Sequence, residues 1–145
     1  MPADLHLTVD RTLRLGGQRY TPNRRVVVEL LEDAGRPLTI AELLAAGDRL
    51  AQSSVYRNLA VLEEVGVVHR VAGGDEFARY ELAEDLTEHH HHHLICSSCG
   101  AVADFTVSPQ LEHSLQQAFS RVADATGFQP ERHRLDLVGV CASCA

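Results

Sequence analysis

Ser53-Ser-Val-Tyr-Arg-Asn-Leu-Ala-Val-Leu-Glu-Glu-Val65, followed by Gly66 and Val67-Val-His-Arg-Val71, is the most informative stretch of the chain. Val55, Leu59, Leu62 and Val65 recur at i, i+4, i+7 and i+10, which draws one apolar stripe along a helix. At roughly 100° per residue, Ser53 and Arg57 lie opposite that stripe, with Tyr56 on its flank. Acids enter only at its end, with Glu63 and Glu64. Ser53 reads as the N-cap. After Gly66 the period changes: Val67–Val71, a Gly73-Gly74 turn and Phe77–Leu82 read as a β-hairpin.

Upstream, the pattern is helical. An amphipathic segment runs from Leu5 to Leu15 and stops at Gly16-Gly17. Thr21 followed by Pro22 is an N-cap with a first-turn proline, opening a helix that ends at Gly35. Thr39-Ile-Ala-Glu42 is a capping box, and its helix ends at Gly47. Helices, a turn, the Ser53–Val65 helix and a hairpin compose a winged helix-turn-helix over residues 1–82, whose last helix enters the DNA major groove.

Composition limits the alternatives. The chain has 145 residues, 45% hydrophobic and 23% charged, which is an ordinary globular composition. No apolar run approaches the ~20 residues of a membrane span, and no signal peptide is evident, so a cytoplasmic protein is expected. All 13 basic residues are arginine, and 20 acids leave a net charge of −7. That opposes non-specific binding to polyanions but permits a local basic face for double-stranded DNA.

Metal chemistry is concentrated downstream. All four cysteines and seven of the nine histidines lie between His89 and Cys144. Cys96-Ser-Ser-Cys99 and Cys141-Ala-Ser-Cys144 read as a tetrahedral structural zinc site rather than disulfides or a redox dithiol. An acidic connector, residues 83–88, precedes a second domain at 89–145. There, His89–Ile95, Ala101–Thr106 and His133–Val140 read as strands. Ser108 caps a helix whose stripe, Leu111, Leu115, Phe119 and Val122, is expected to be buried.

The run His89-His-His-His-His93 leads directly into Leu94-Ile95-Cys96, unlike a terminal purification tag. On a strand, His89, His91 and His93 face one way, and His90 and His92 the other. The run can therefore serve two metal sites. Candidate partners are Asp104 on a neighbouring strand, Glu81 in the hairpin's return strand, Glu112 at the edge of the long helix's stripe, and His133. Glu112 is favoured over the solvent-facing His113, with Gln116 a weaker choice.

Gly17-Gln-Arg-Tyr-Thr-Pro-Asn-Arg24, Ser54-Val-Tyr-Arg57, and His93-Leu-Ile-Cys96 with Cys99-Gly100 together resemble the ferric uptake regulator (Fur) family over nearly the whole chain. The resemblance implies an α+β protein: an N-terminal winged helix, a hinge and a C-terminal α/β dimerisation domain. It implies a homodimeric, metal-dependent repressor, without membrane or small-molecule substrate. By the resemblance, Cys96, Cys99, Cys141 and Cys144 hold structural zinc. Glu81, His91, His93 and Asp104 match the regulatory site, and His90, His92, Glu112 and His133 match the second site. Tyr56 and Arg57 match DNA-facing residues, with Ser53, Arg24 and Arg19 as further contacts.

The chain departs from the family pattern in places. Leu38 stands roughly where many members carry a regulatory histidine, and His69 is the candidate replacement ligand. His92 replaces an aspartate frequent in iron sensors, which tilts the reading toward zinc uptake regulators; zinc-sensing members also use a cysteine before the histidine run, which is absent here. Iron, nickel or peroxide sensing are the alternatives within the family, with iron(II), nickel or manganese as the other candidate ions at the regulatory sites. The rivals outside it are a zinc hydrolase and a zinc-storage protein. A catalytic zinc keeps an open position, whereas the ligand supply here looks complete, no His-x-Glu motif precedes Pro-Cys-x-x-Cys, and half the chain would be unexplained; the storage protein has no need of a winged helix.

Overall fold

The computed structural model describes residues 3–48, 50–87 and 90–145. Its elements are α1 (Ala3–Leu15), α2 (Pro22–Ala34), β1 (Leu38–Thr39), α3 (Ile40–Ala46), α4 (Gln52–Glu64), β2 (Val68–Ala72) and β3 (Ala78–Leu82). They continue as α5 (Glu84–Thr87), β4 (His92–Cys96), β5 (Val102–Phe105), α6 (Pro109–Thr126) and β6 (Asp136–Gly139). The fold is α+β, with two three-stranded sheets ordered β1-β3-β2 and β5-β4-β6.

Local chemistry sets most helix ends. Thr21 accepts from the Arg24 N–H, and Gly35 closes α2 in the left-handed conformation at φ 60°. Thr39 and Glu42 complete their capping box at α3. The helix of the Ser53–Val65 segment departs from expectation: it starts at Gln52, and Ala51 occupies the cap position without a side-chain bond. Ser53 lies inside the first turn, and the neighbouring Ser54 hydroxyl accepts from both Asn23 and Asn58.

The apolar stripes converge as their spacing requires. Val55, Leu59 and Leu62 of α4 pack with Val9 and Leu13 of α1, Val27 and Val28 of α2, Leu43 of α3, and Val67 and Val68 at β2. β3 lies between β1 and β2, and Leu38 pairs with Tyr80 while His69 pairs with Glu81. The two-residue β1 was not evident in the sequence; pairing with β3 buries Leu38 to 4% exposure. The connector likewise forms the short helix α5 instead of an open link.

The second half differs more from its sequence reading. β4 begins at His92, so His90 and His91 precede the strand, and His89 lies outside the described residues. β6 begins at Asp136, leaving His133 in the segment that leads into it. β4 pairs antiparallel with β5 and parallel with β6. α6 has the expected Ser108 cap and Gly127 terminus, but none of its residues is buried. Leu111 is 47% and Val122 56% exposed, and Leu137, Val138 and Val140 at the third strand are also exposed. Among the described residues the stripe is only partly covered: Leu115 and Phe119 are half-buried, Phe119 against the His133 ring at 4.8 Å, while Leu111 and Val122 stay exposed.

Candidate metal centres and the recognition helix

Three groups of metal-ligating side chains form among the described residues, each with its donor atoms within 4.8 Å of one another. The first is Cys96, Cys99, Cys141 and Cys144. Cys96 sits at the end of β4, and the chain returns to it after β6 through the parallel β4–β6 pairing. Its sulfur accepts the backbone N–H groups of Cys99 and Cys141, both at 3.4 Å. Those donors bring the Cys96 thiol down to about 6. Contact with the Cys141 sulfur instead pushes Cys144 up to about 12. The Cys99 and Cys141 sulfurs are 3.8 Å apart, far beyond a disulfide bond, and all four thiols are free. Four convergent sulfurs with one readily ionised member fit zinc.

The second group joins His90, His92, Glu112 and His133. Glu112 comes from the first turn of α6, and its carboxylate meets the His92 Nε2. The His90 and His133 Nε2 atoms approach to 2.9 Å, with a Glu112 oxygen 3.7 Å from His90. Burial and the neighbouring His90 both lower the His133 pKa, which favours the neutral imidazole a metal requires. His90 uses its other nitrogen: Nδ1 donates to Glu84 of α5 at 2.8 Å. That carboxylate fixes which nitrogen of His90 faces the group. Sequence reasoning missed Glu84, because a glutamate in an acidic connector carries no pattern of its own.

The third group is Glu81, His93 and Asp104, contributed by β3, β4 and β5. It therefore spans both sheets. The His93 Nε2 lies 2.9 Å from Glu81 and 3.5 Å from Asp104. Burial lowers the His93 pKa, but the Glu81 hydrogen bond and the surrounding carboxylates outweigh it, and the net shift is upward. Burial, followed by the Glu81 charge, lifts Asp104 to about 7. Oxygen atoms of Glu81 and Asp104 are buried with no hydrogen-bond partner. Leaving such acceptors buried is costly, and a divalent cation is a natural counter-charge for them. Asp136, paired in register with His93, brings a third carboxylate to 3.6 Å from Nδ1; the sequence offered no spacing that singled it out.

The alternation is visible where the strand exists: adjacent His92 and His93 belong to different groups. His91 lies outside all three groups, but it lines a cavity of about 580 Å³ together with Glu81 and Asp104. His69 also stays outside. Its Nε2 faces Arg132 at 3.3 Å, on a cavity of about 440 Å³ shared with Glu81, His91 and His93. Leu38, in the place of the family's missing histidine, is core.

On α4, Ser53, Tyr56 and Arg57 are exposed, as is Arg19 beyond α1. Arg24 is engaged within the protein. It donates to Asn58 at 3.0 Å and to the Arg19 carbonyl at 2.7 Å, which fixes α4 against α2. No helix among the described residues is long and apolar enough to cross a membrane.

Comparison with known proteins agrees with this architecture. The sequence profile of the "Ferric uptake regulator family" matches residues 16–138. The peroxide operon regulator of Bacillus subtilis is 33% identical over 138 residues, covering 92% of this chain and 89% of the relative. The crystal structure of the Vibrio cholerae ferric uptake regulator superposes with a TM-score of 0.69 at 27% identity, covering 91% of this chain and 98% of the other. A zinc-bound manganese uptake regulator gives 0.63 at 34% identity, covering 92% and 98%. A winged helix joined to a second sheet that carries candidate metal ligands thus has counterparts among transcription factors, and the chain belongs to the ferric uptake regulator family of metal-responsive transcriptional repressors.

Proposed function

We propose that a divalent cation held by Glu81, His93 and Asp104 licenses operator binding by fixing the wing half against the metal-binding half. The observation that carries this reading is the convergence of ligands from both sheets on buried, unpartnered carboxylate oxygens. A cation that binds better to one arrangement of the halves shifts the population toward it. The division is 1–82 for DNA binding, 83–88 for the hinge and 89–145 for dimerisation. A second copy of the chain is the intended cover for the exposed face of α6 and of Leu137 and Val138. Dimerisation would then set the spacing of two α4 helices on double-stranded operator DNA. Arg57, Tyr56 and Ser53 face the groove, Arg19 reaches phosphate, and Arg24 orients the helix.

Donor chemistry supports iron(II) or manganese(II) as the regulatory ion, since two carboxylates accompany one imidazole. The likeness to the peroxide operon regulator of Bacillus subtilis is in line with a redox-active ion such as iron(II). Zinc suits the four cysteines and the imidazole-rich His90, His92, Glu112 and His133 group. Zinc sensing is the second reading, and His92 in that group is its support. A reporter under the operator, in cells starved of one metal at a time, separates them. Derepression by iron or manganese limitation is expected; derepression by zinc limitation alone reverses the assignment.

A further inference from the structure

The Gly73-Gly74 pair reads in the sequence as ordinary turn chemistry. In the structure neither residue adopts a positive φ, so the turn itself does not require glycine. Space does. A Cβ on Gly74 would lie 2.5 Å from the Cys96 carbonyl oxygen and 3.4 Å from the Ile95 side chain. A Cβ on Gly73 would meet the Arg79 guanidinium and lie 3.1 Å from the Gly100 carbonyl. From the opposite side, a Cβ on Gly100 would run into the Asp75 side chain. Three glycines thus mark one close approach, between the tip of the β2–β3 hairpin and the loop 96–100 of the cysteine group.

A buried clamp lies behind that approach. Arg79 on β3 is only 6% exposed, and it grips Asp75 with two hydrogen bonds of 2.7 and 3.1 Å. Asp75 also accepts the Phe77 N–H, which shapes the hairpin tip. Beneath it, Val71 of the hairpin shares a small core with Ile95 and Val102 of the second sheet. Forked arginine–carboxylate pairing is directional as well as strong, so it holds the tip in one orientation.

We propose that the hairpin tip Gly73–Asp75 is a docking surface whose partner is the 96–100 loop of the same chain, so that order in the cysteine group is passed to the wing. Cys96 carries both ends of the link: its sulfur belongs to the four-cysteine group and its carbonyl faces Gly74. The wing therefore has two tethers, this one and the Glu81–His93–Asp104 group.

Amide hydrogen exchange on the full-length zinc-bound protein tests the proposal. Gly74→Val should raise exchange in the hairpin tip and in residues 96–100 by roughly tenfold, while α2 and α4 stay protected and zinc is retained. Glu76→Ala, an exposed change on the same hairpin, should leave both segments unchanged. Should the valine variant fail to fold, Asp75→Asn breaks the clamp without adding bulk and should give the same rise. Chelating the zinc should release the tip together with the loop; this arm rests on the four-cysteine zinc reading, which zinc content in the untreated sample checks separately. A zinc-bound protein whose tip ignores both variants, or a tip that stays protected once the loop is released, overturns the proposal.

Discussion

His93→Ala is the most informative perturbation, because adjacent His92 provides its control. His93 is the only imidazole in the Glu81–His93–Asp104 group. Structural zinc sites supply about 10–16 kcal/mol over four ligands, or roughly 2.5–4 kcal/mol per donor, so losing one donor weakens the site by about 10²–10³-fold. Take a cation at a hundred times its dissociation constant that binds only the DNA-competent arrangement. It then contributes about 2.7 kcal/mol to that arrangement, and after the substitution roughly 0.4 kcal/mol or less. Metal-dependent tightening on the operator should therefore fall from about a hundredfold to about twofold. The assay is a gel-shift titration of protein that retains its cysteine-bound zinc, with and without added manganese(II), with zinc content and dimer mass measured in parallel. His92→Ala removes a ligand from the other group and should leave most of the manganese response in place. A His93→Ala protein with the full response, or a His92→Ala dimer with none, would refute the division of the histidine run between two sites.

Arg57→Ala should weaken operator binding by roughly tenfold or more and lower the salt slope by about one, with metal content unchanged, as the loss of one phosphate or base contact requires. Cys141→Ser should remove about one zinc per chain and drive the protein toward monomer or aggregate in sizing experiments, since structural zinc contributes folding energy directly. Tyr20 tests the fold of the DNA-binding half through pH. Its hydroxyl meets the His6 Nδ1 at 2.6 Å, and burial raises its pKa to about 12 against the pull of Arg25. Between about pH 10 and 12 the unfolded chain loses this proton while the folded chain keeps it, so stability falls as pH rises through that window. Ultraviolet titration should show one of the three tyrosines ionising late, and a Tyr20→Phe chain should lose that late step.

The sequence alone determined the helical half almost completely. Thr21-Pro22, the Thr39–Glu42 capping box, the glycine stops and the Val55–Leu59–Leu62 stripe are local signals, and short-range hydrogen bonding and one apolar face suffice to express them. It also separated His92 from His93, which fall in different groups, because adjacent strand residues point apart whatever else surrounds them. Tertiary structure decided what depends on distant segments meeting. Only the pairing of β4 with β6 brings Asp136 to His93; Glu84 reaches His90 more locally, through the turn of α5 that the acidic connector did not announce. Arg24, expected at DNA phosphate, also braces α4 through Asn58, a contact that only the packing of α2 on α4 creates. The stripe of α6 has the expected period but not the expected burial: Leu115 and Phe119 are half-covered and Leu111 and Val122 exposed, since burial belongs to whatever packs against a helix and not to its periodicity. Gly73 and Gly74 needed the whole fold, because what forbids a side chain there is the carbonyl of a residue more than twenty positions away.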